Sequence, residues 1–244
     1  MSLKKSTRRE VLAVLGAGVG AVLAGCGSTP TTPSATTTGT TTSGGGTSST
    51  GSCAVTPSET EGPYPDKTGM INNSAFFRRD ITEGTSGLPL TLTLTIVNVN
   101  SSCATVSGAN VEIWQCDAAG RYSEYSQPGY DGSAQTFLRG IQTTDPNGQV
   151  TFTTIYPGWY AGRATHIHVD VFRSGALVKT TQIAFPESIS AAVYATGVYA
   201  SKGQNSTTNS SDNVFSDGTT NELATVTGNT TSGYTATLTI GIAV

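Results

Sequence analysis

The 244-residue chain contains only two histidines, and they stand two residues apart in Arg163-Ala-Thr-His-Ile-His168. On a β-strand, positions i and i+2 project from the same side of the sheet. Both imidazoles then face one spot, with Arg163 three residues and Tyr160 six residues before His166. Imidazole is the commonest protein ligand for a metal ion, and a phenol oxygen is a further candidate donor. Taken alone, such a pair more often lies on the solvent face of an ordinary strand than it serves as a ligand pair, so the remainder of the chain has to decide. No third histidine is available to serve a Ser/His/Asp or Cys/His nucleophile, and the spacings of metalloproteases and zinc fingers are absent.

The elements that must hold these residues read as strands. Residues 90–97 alternate apolar side chains with threonine, and 109–116, 136–142, 149–155, 166–173, 177–185, 222–227 and 234–243 are predicted as further short strands. Asp145-Pro-Asn-Gly148 and Tyr156-Pro-Gly158 supply turns, and residues 187–199 are the only helical candidate. Charged residues make up 12% of the chain, about half the usual share, and Ser, Thr and Gly dominate. The reading is all-β: an antiparallel β-sandwich with long active-site loops and at most one short helix. Outside the N-terminus there is no basic block, which argues against nucleic acid as a partner.

The N-terminus reads as an address. Arg8-Arg9 precedes an apolar run, residues 11–23, too short to span a bilayer, and the run ends in Leu23-Ala-Gly-Cys26. This layout resembles a twin-arginine lipoprotein signal, residues 1–26, in which Cys26 is the lipidated residue. Residues 27–52 are almost wholly Ser, Thr, Gly and Pro and should form a flexible tether. Residues 53–244 then form the folded domain, expected on an exported, membrane-anchored lipoprotein at the cell surface or in the periplasm. With residues 1–25 removed, 9 basic and 15 acidic residues remain, a net charge of −6. The domain retains Cys53, Cys103 and Cys116. If residues 90–100 and 109–116 form a hairpin, Cys116 falls too far from Cys103, which favours a Cys53–Cys103 disulfide. Spacing alone leaves the connectivity open.

Four ordered motifs carry a resemblance. Val111-Glu-Ile-Trp-Gln-Cys-Asp-Ala-Ala-Gly-Arg-Tyr-Ser123, Phe137-Leu-Arg-Gly140, Tyr156-Pro-Gly-Trp-Tyr160 and Arg163-Ala-Thr-His-Ile-His168 together look like the core of the intradiol ring-cleavage dioxygenases. Thr60-Glu-Gly-Pro-Tyr64 and Thr181-Gln-Ile-Ala-Phe185 resemble further segments of that family. The resemblance implies a non-haem Fe(III) held by Tyr122, Tyr160, His166 and His168. Its expected partners are a catechol and O2, with the ring opened between its two hydroxylated carbons to a muconate-type diacid. Tyr160 matches the family's displaceable tyrosine, Arg163 its active-site arginine and Gln182 a pocket residue, while Pro63 and Tyr64 would wall the substrate. Two phenolates make a hard anionic site suited to a ferric ion. The helical N-terminal dimerisation region of the catechol dioxygenase branch has no counterpart, so the chain looks like the single-domain exported branch, with self-association left open. Tyr64 is followed by Pro65 where relatives often carry a second aromatic, which leaves the ring preferred by the pocket open. From location, plant- or lignin-derived catechols are the expected substrates.

A reading from another class is a lipid-anchored cell-surface β-sandwich binding module without catalysis. The two readings differ in retention of all four ligand types plus Arg163, and in colour. Phenolate-to-iron charge transfer makes the enzyme reddish, whereas a binding module is colourless.

Overall fold

The computed structural model describes residues 53–67 and 69–244. The expected export signal with Cys26 and the tether to residue 52 lie outside the described residues.

Eleven strands occur among the described residues: β1 Pro89–Asn98, β2 Ala104–Thr105, β3 Asn110–Trp114, β4 Ser126–Gln127, β5 Tyr130–Asp131, β6 Arg139–Thr143, β7 Gln149–Ile155, β8 His166–Arg173, β9 Ala176–Ala184, β10 Thr225–Asn229 and β11 Gly233–Ile242. One α-helix, α1 (Glu187–Tyr194), follows β9. The first sheet runs β10-β11-β1, with β7 and β2 both pairing the far side of β1; the second runs β6-β3-β8-β9. The β4–β5 hairpin stands apart.

Alternation in the sequence becomes alternation in burial. Leu90, Leu92, Leu94 and Ile96 of β1 turn inward, while the threonines between them remain half-exposed. They meet Val111, Ile113, Ile167, Val169, Val171 and Ile183 from the second sheet in one continuous core. Each such side chain contributes roughly 1.5–3 kcal/mol on burial. This inner face of the second sheet leaves its other face for chemistry. There, β8 presents His166, His168 and Asp170, and the register sets Trp114 and Gln182 on either side of His168.

Two pairings depart from the sequence reading. β1 and β3 do not form a hairpin; they lie in different sheets, and β1 instead pairs in parallel with β11, from Leu90↔Tyr234 to Asn98↔Ile242. Among the named strands the pairing is therefore antiparallel except along this one ladder, whose partners are brought together by the whole intervening chain. The Cys53–Cys103 disulfide does form, with Cα atoms 5.7 Å apart. Its basis is not the hairpin but the docking of segment 53–56, whose Thr56 N–H donates to the Gly241 carbonyl of β11. Cys116 is the leftover thiol, buried and pushed up to about 12 chiefly by that burial, hence protonated and unreactive.

One row of the outer face carries a built-in conflict. Glu112 of β3 stands directly opposite Asp170 of β8, both buried, and Glu61 and Asp66 line the same cavity. Burial, reinforced by Asp66 and Asp170, pushes Glu112 from 4.5 up to about 8; burial also raises Asp170 to about 6. Folded Glu112 thus keeps a proton that the unfolded chain releases near 4.5, so stability falls as pH rises from 4.5 through about 8. We expect Glu112→Gln to melt above the wild type at pH 8 and level with it at pH 4.5, measured by thermal unfolding at both values.

Candidate metal centre

Two turns deliver the two tyrosines to the histidine face. The turn at Asp117–Arg121 precedes Tyr122, and Tyr156-Pro-Gly-Trp159 precedes Tyr160. They pack backbone against backbone: a Cβ on Gly120, whose φ is +79°, would overlap the Trp159 carbonyl, and one on Gly158 would overlap the Asp117 carbonyl. Only glycine permits that approach at both points. The Lys202 ammonium donates to the Ala119 carbonyl and lies 4.8 Å from the Trp159 ring centroid, while the Trp159 indole N–H donates to Gly203 O at 3.1 Å, so the following loop clamps both turns.

The four side chains converge. His166 Nε2 lies 3.2 Å from His168 Nε2 and 3.5 Å from the Tyr160 hydroxyl. The Tyr122 ring centroid is 5.8 Å from that of Tyr160 and 6.2 Å from that of His168. His168 is held by a parallel stack on Trp114, with centroids 4.7 Å apart and planes 3° apart. His166 Nδ1 lies 2.6 Å from the Ala164 carbonyl, which can only accept, so Nδ1 carries the proton and Nε2 presents its lone pair. Burial first, then Arg163, pushes His166 down to about 3 and, with His166 itself, His168 well below its ordinary value. Both imidazoles are neutral at working pH, as a ligand must be.

The donor set fits a hard, highly charged cation. The Tyr122 hydroxyl is buried and makes no hydrogen bond of ordinary geometry, although it lies near enough to act on the Tyr160 phenol; a polar group so removed from water carries a deficit of about 1–3 kcal/mol. Burial pushes Tyr160 up to about 12 and Tyr122 well above the ordinary phenol value, with Arg163 drawing both down. Without a metal both phenols stay protonated; a trivalent cation reverses that preference and satisfies the lone oxygen.

Arg163 stands beside these donors, its Nη1 3.5 Å from the Tyr160 hydroxyl. Its Nε donates to both oxygens of Asp212, at 3.0 and 2.9 Å, and Nη2 donates to Gln182 Oε1. Gln182 Nε2 in turn donates to the Thr60 carbonyl at 2.8 Å. Tyr64 stacks on Tyr122 at 4.8 Å and meets Tyr160 edge-on at 6.2 Å, forming one wall; Pro63, just before it, is exposed.

The family described as "Dioxygenase" matches residues 60–205. Among solved structures, an intradiol ring-cleavage dioxygenase from Tetranychus urticae superposes with TM-score 0.69 at 30% identity, covering 78% of this chain and 95% of that one. The chain belongs to the intradiol ring-cleavage dioxygenase family. The dioxygenase domain of a dioxygenase–carbohydrate-binding fusion from the cellulolytic bacterium Streptomyces sp. SirexAA-E matches at 28% identity and TM-score 0.57, covering 78% of this chain and 99% of that one. A 3-chlorocatechol 1,2-dioxygenase from Rhodococcus opacus 1CP shares the fold at 21% identity and TM-score 0.52, covering 77% of this chain and 72% of that one. Among curated proteins none matches. Membership in this dioxygenase family favours the enzyme over a non-catalytic binding module, and members of the family are non-haem Fe(III) enzymes.

Three residues of this intradiol dioxygenase matter to the site and were invisible as such in the sequence. Asp212 holds both Arg163 and the Ala164 N–H, the latter at 2.7 Å. It sits in a polar Ser/Thr/Asn loop, where nothing in local pattern distinguishes it from Asp217. Trp114, which stands in the first of the family-like motifs without a role of its own, is the platform for His168. Arg139, part of a quoted motif but given no role, is fully buried and donates to the Tyr64 carbonyl at 3.0 Å.

Proposed function

We propose that this protein is a non-haem Fe(III) intradiol dioxygenase that opens a catechol between its hydroxylated carbons with O2, giving a muconate-type diacid. We further propose that residues 1–26 export it and anchor it through a lipid on Cys26, that residues 27–52 tether it, and that residues 53–244 are the catalytic domain. The observation that carries the enzymatic reading is the convergence of two histidine Nε2 atoms and the Tyr160 hydroxyl beside the buried Tyr122 hydroxyl, which makes no hydrogen bond of ordinary geometry.

Tyr122, Tyr160, His166 and His168 would hold the iron. When bound, a ferric ion supplies Lewis acidity that draws electron density from a chelated catecholate and readies the ring for O2. Tyr160 is the donor placed to exchange a proton. Its phenol oxygen, ionised when it serves as a donor, can take the proton of a catechol O–H. Arg163 lies within reach of that oxygen, and Asp212 and Gln182 restrict its guanidinium to one orientation. A fixed cation at this point stabilises negative charge developing on the substrate without reorganising during the reaction. Tyr64 packs on the ligand tyrosines and keeps water from that side. Plant- or lignin-derived catechols are the substrates this location favours.

The test is a visible spectrum of the Fe(III)-loaded mature protein, before and after catechol is added under air. The expected result is a broad phenolate charge-transfer band that shifts on catechol addition and decays as a muconate-type product accumulates. A colourless, inert protein after iron loading refutes the proposal.

A further inference from the structure

A second group of ligand atoms lies outside the iron-binding donors. Glu59 in the segment before Tyr64, Asp217 in the loop after Arg163's partner Asp212, and Glu222 at the end of that loop each offer an oxygen, all within 4.8 Å of one another. Glu222 is fully buried; its Oε1 accepts from the Thr181 hydroxyl at 3.0 Å, and its Oε2 has no partner. An unsatisfied carboxylate oxygen sealed from water and grouped with two more carboxylates is a strongly unfavourable arrangement without a counter-charge. The neighbouring cations act on the cluster only through space: Lys179 Nζ donates to Thr56 O and Ser58 Oγ, both at 2.8 Å, and the Arg163 guanidinium is taken by Asp212 and Gln182. Burial pushes Glu222 up to about 7, and Glu59 is raised by burial and then by Asp217.

The donors are all hard carboxylate oxygens, the ligand class of calcium and magnesium rather than of softer metals. Two oxygens on one ion can be no farther apart than two bond lengths, about 4.6–5.2 Å for Ca2+ and about 4.0–4.2 Å for Mg2+. The three oxygens lie within 4.8 Å of one another, so calcium can span them, and three carboxylates on one ion suit calcium better than magnesium, which dehydrates reluctantly and usually takes one or two. Asp217 is exposed, leaving room for the waters that complete a calcium shell.

We propose that Glu59, Asp217 and Glu222 bind a calcium ion that fastens the 56–65 segment to the 212–222 loop. Those two pieces hold the catalytic wall. Thr60 O, next to Glu59, positions Gln182, and Asp212 positions Arg163, so the ion braces Arg163 from both sides. The binding stands independently of the iron reading; only the consequence for Arg163 rests on it.

The experiment titrates CaCl2 into the full chain, iron-loaded and dialysed free of calcium, at constant ionic strength, and reads the melting temperature and the heat of binding. Saturating calcium is expected to raise Tm by about 5 °C, with MgCl2 giving less than half of that. Asp217→Asn, a surface change, should abolish the rise and the binding heat while leaving the visible band intact; Glu59→Gln serves as the second variant. No rise in the wild type, an equal rise with magnesium, or a rise retained in both variants overturns the proposal. Melting temperature and binding heat decide the proposal and involve neither turnover nor colour; the visible band is only a control, so failure of the iron reading would leave this result interpretable on its own.

Discussion

Tyr122→Phe is expected to make the metal-free protein more stable and the iron-loaded protein inactive. The phenol ring packs against Tyr64 at 4.8 Å and belongs to the cluster of Trp114 and Cys116, and phenylalanine keeps that packing. What it deletes is a hydroxyl that is buried and makes no hydrogen bond of ordinary geometry. Removing an unsatisfied buried donor recovers its desolvation cost, so the apo variant should unfold about 1–3 kcal/mol above the wild type in urea. The same deletion removes one anionic oxygen from the proposed iron site. The loss of several kcal/mol of charge stabilisation predicts a fall in ring-cleavage rate of ~10³-fold or more and a weakened, displaced visible band. Opposite signs on stability and activity separate a ligand from a packing residue, because a tyrosine that merely packed would leave the rate unchanged.

Arg139→Met is the change with the largest expected effect on stability. The guanidinium is completely buried. Its Nε donates to Ser123 Oγ at 3.1 Å and lies 3.4 Å from Glu124 Oε2, and its Nη2 donates to the carbonyls of Ser123 and Tyr64, both at 3.0 Å. Methionine fills most of the volume but removes the cation, so the 5%-exposed Glu124 carboxylate loses its guanidinium while keeping the Lys67 N–H donor at 3.2 Å. Breaking a buried ion pair from one side costs about 3–5 kcal/mol, which urea unfolding of Arg139→Met measures. Arg139→Lys should recover less than half, since an ammonium cannot reach three acceptors as a planar fork does. Releasing the Tyr64 carbonyl also frees the wall of the pocket, so the variant's KM for catechol should rise along with the loss of stability.

Much of this protein was legible in the order of its residues, and the part that was legible is local. The alternation of leucine and threonine through β1 determined which face is buried, because a strand's side-chain period is two. The same period put His166 and His168 on one side, and it put them on the face opposite Ile167 and Val169, away from the core. Pro157-Gly158 announced the turn before Tyr160, and the ordered motifs pointed to the family. Strand ends were read to within a few residues, and the helix was placed correctly at its start, although it stops at Tyr194 and a separate 3-10 turn covers Gly197–Tyr199.

What only the tertiary structure decided is which distant pieces meet. The parallel ladder of β1 on β11 stands where a β1–β3 hairpin was one option, because an apolar strand face is satisfied by any partner that completes the core, whatever its distance along the chain. Glu112 faces Asp170, Asp212 captures Arg163, and Glu59 meets Asp217 and Glu222 for the same reason: register and loop docking follow from global burial. Local pattern records which way a side chain points, but not what waits there, since the partner's position is set by the packing of every other strand.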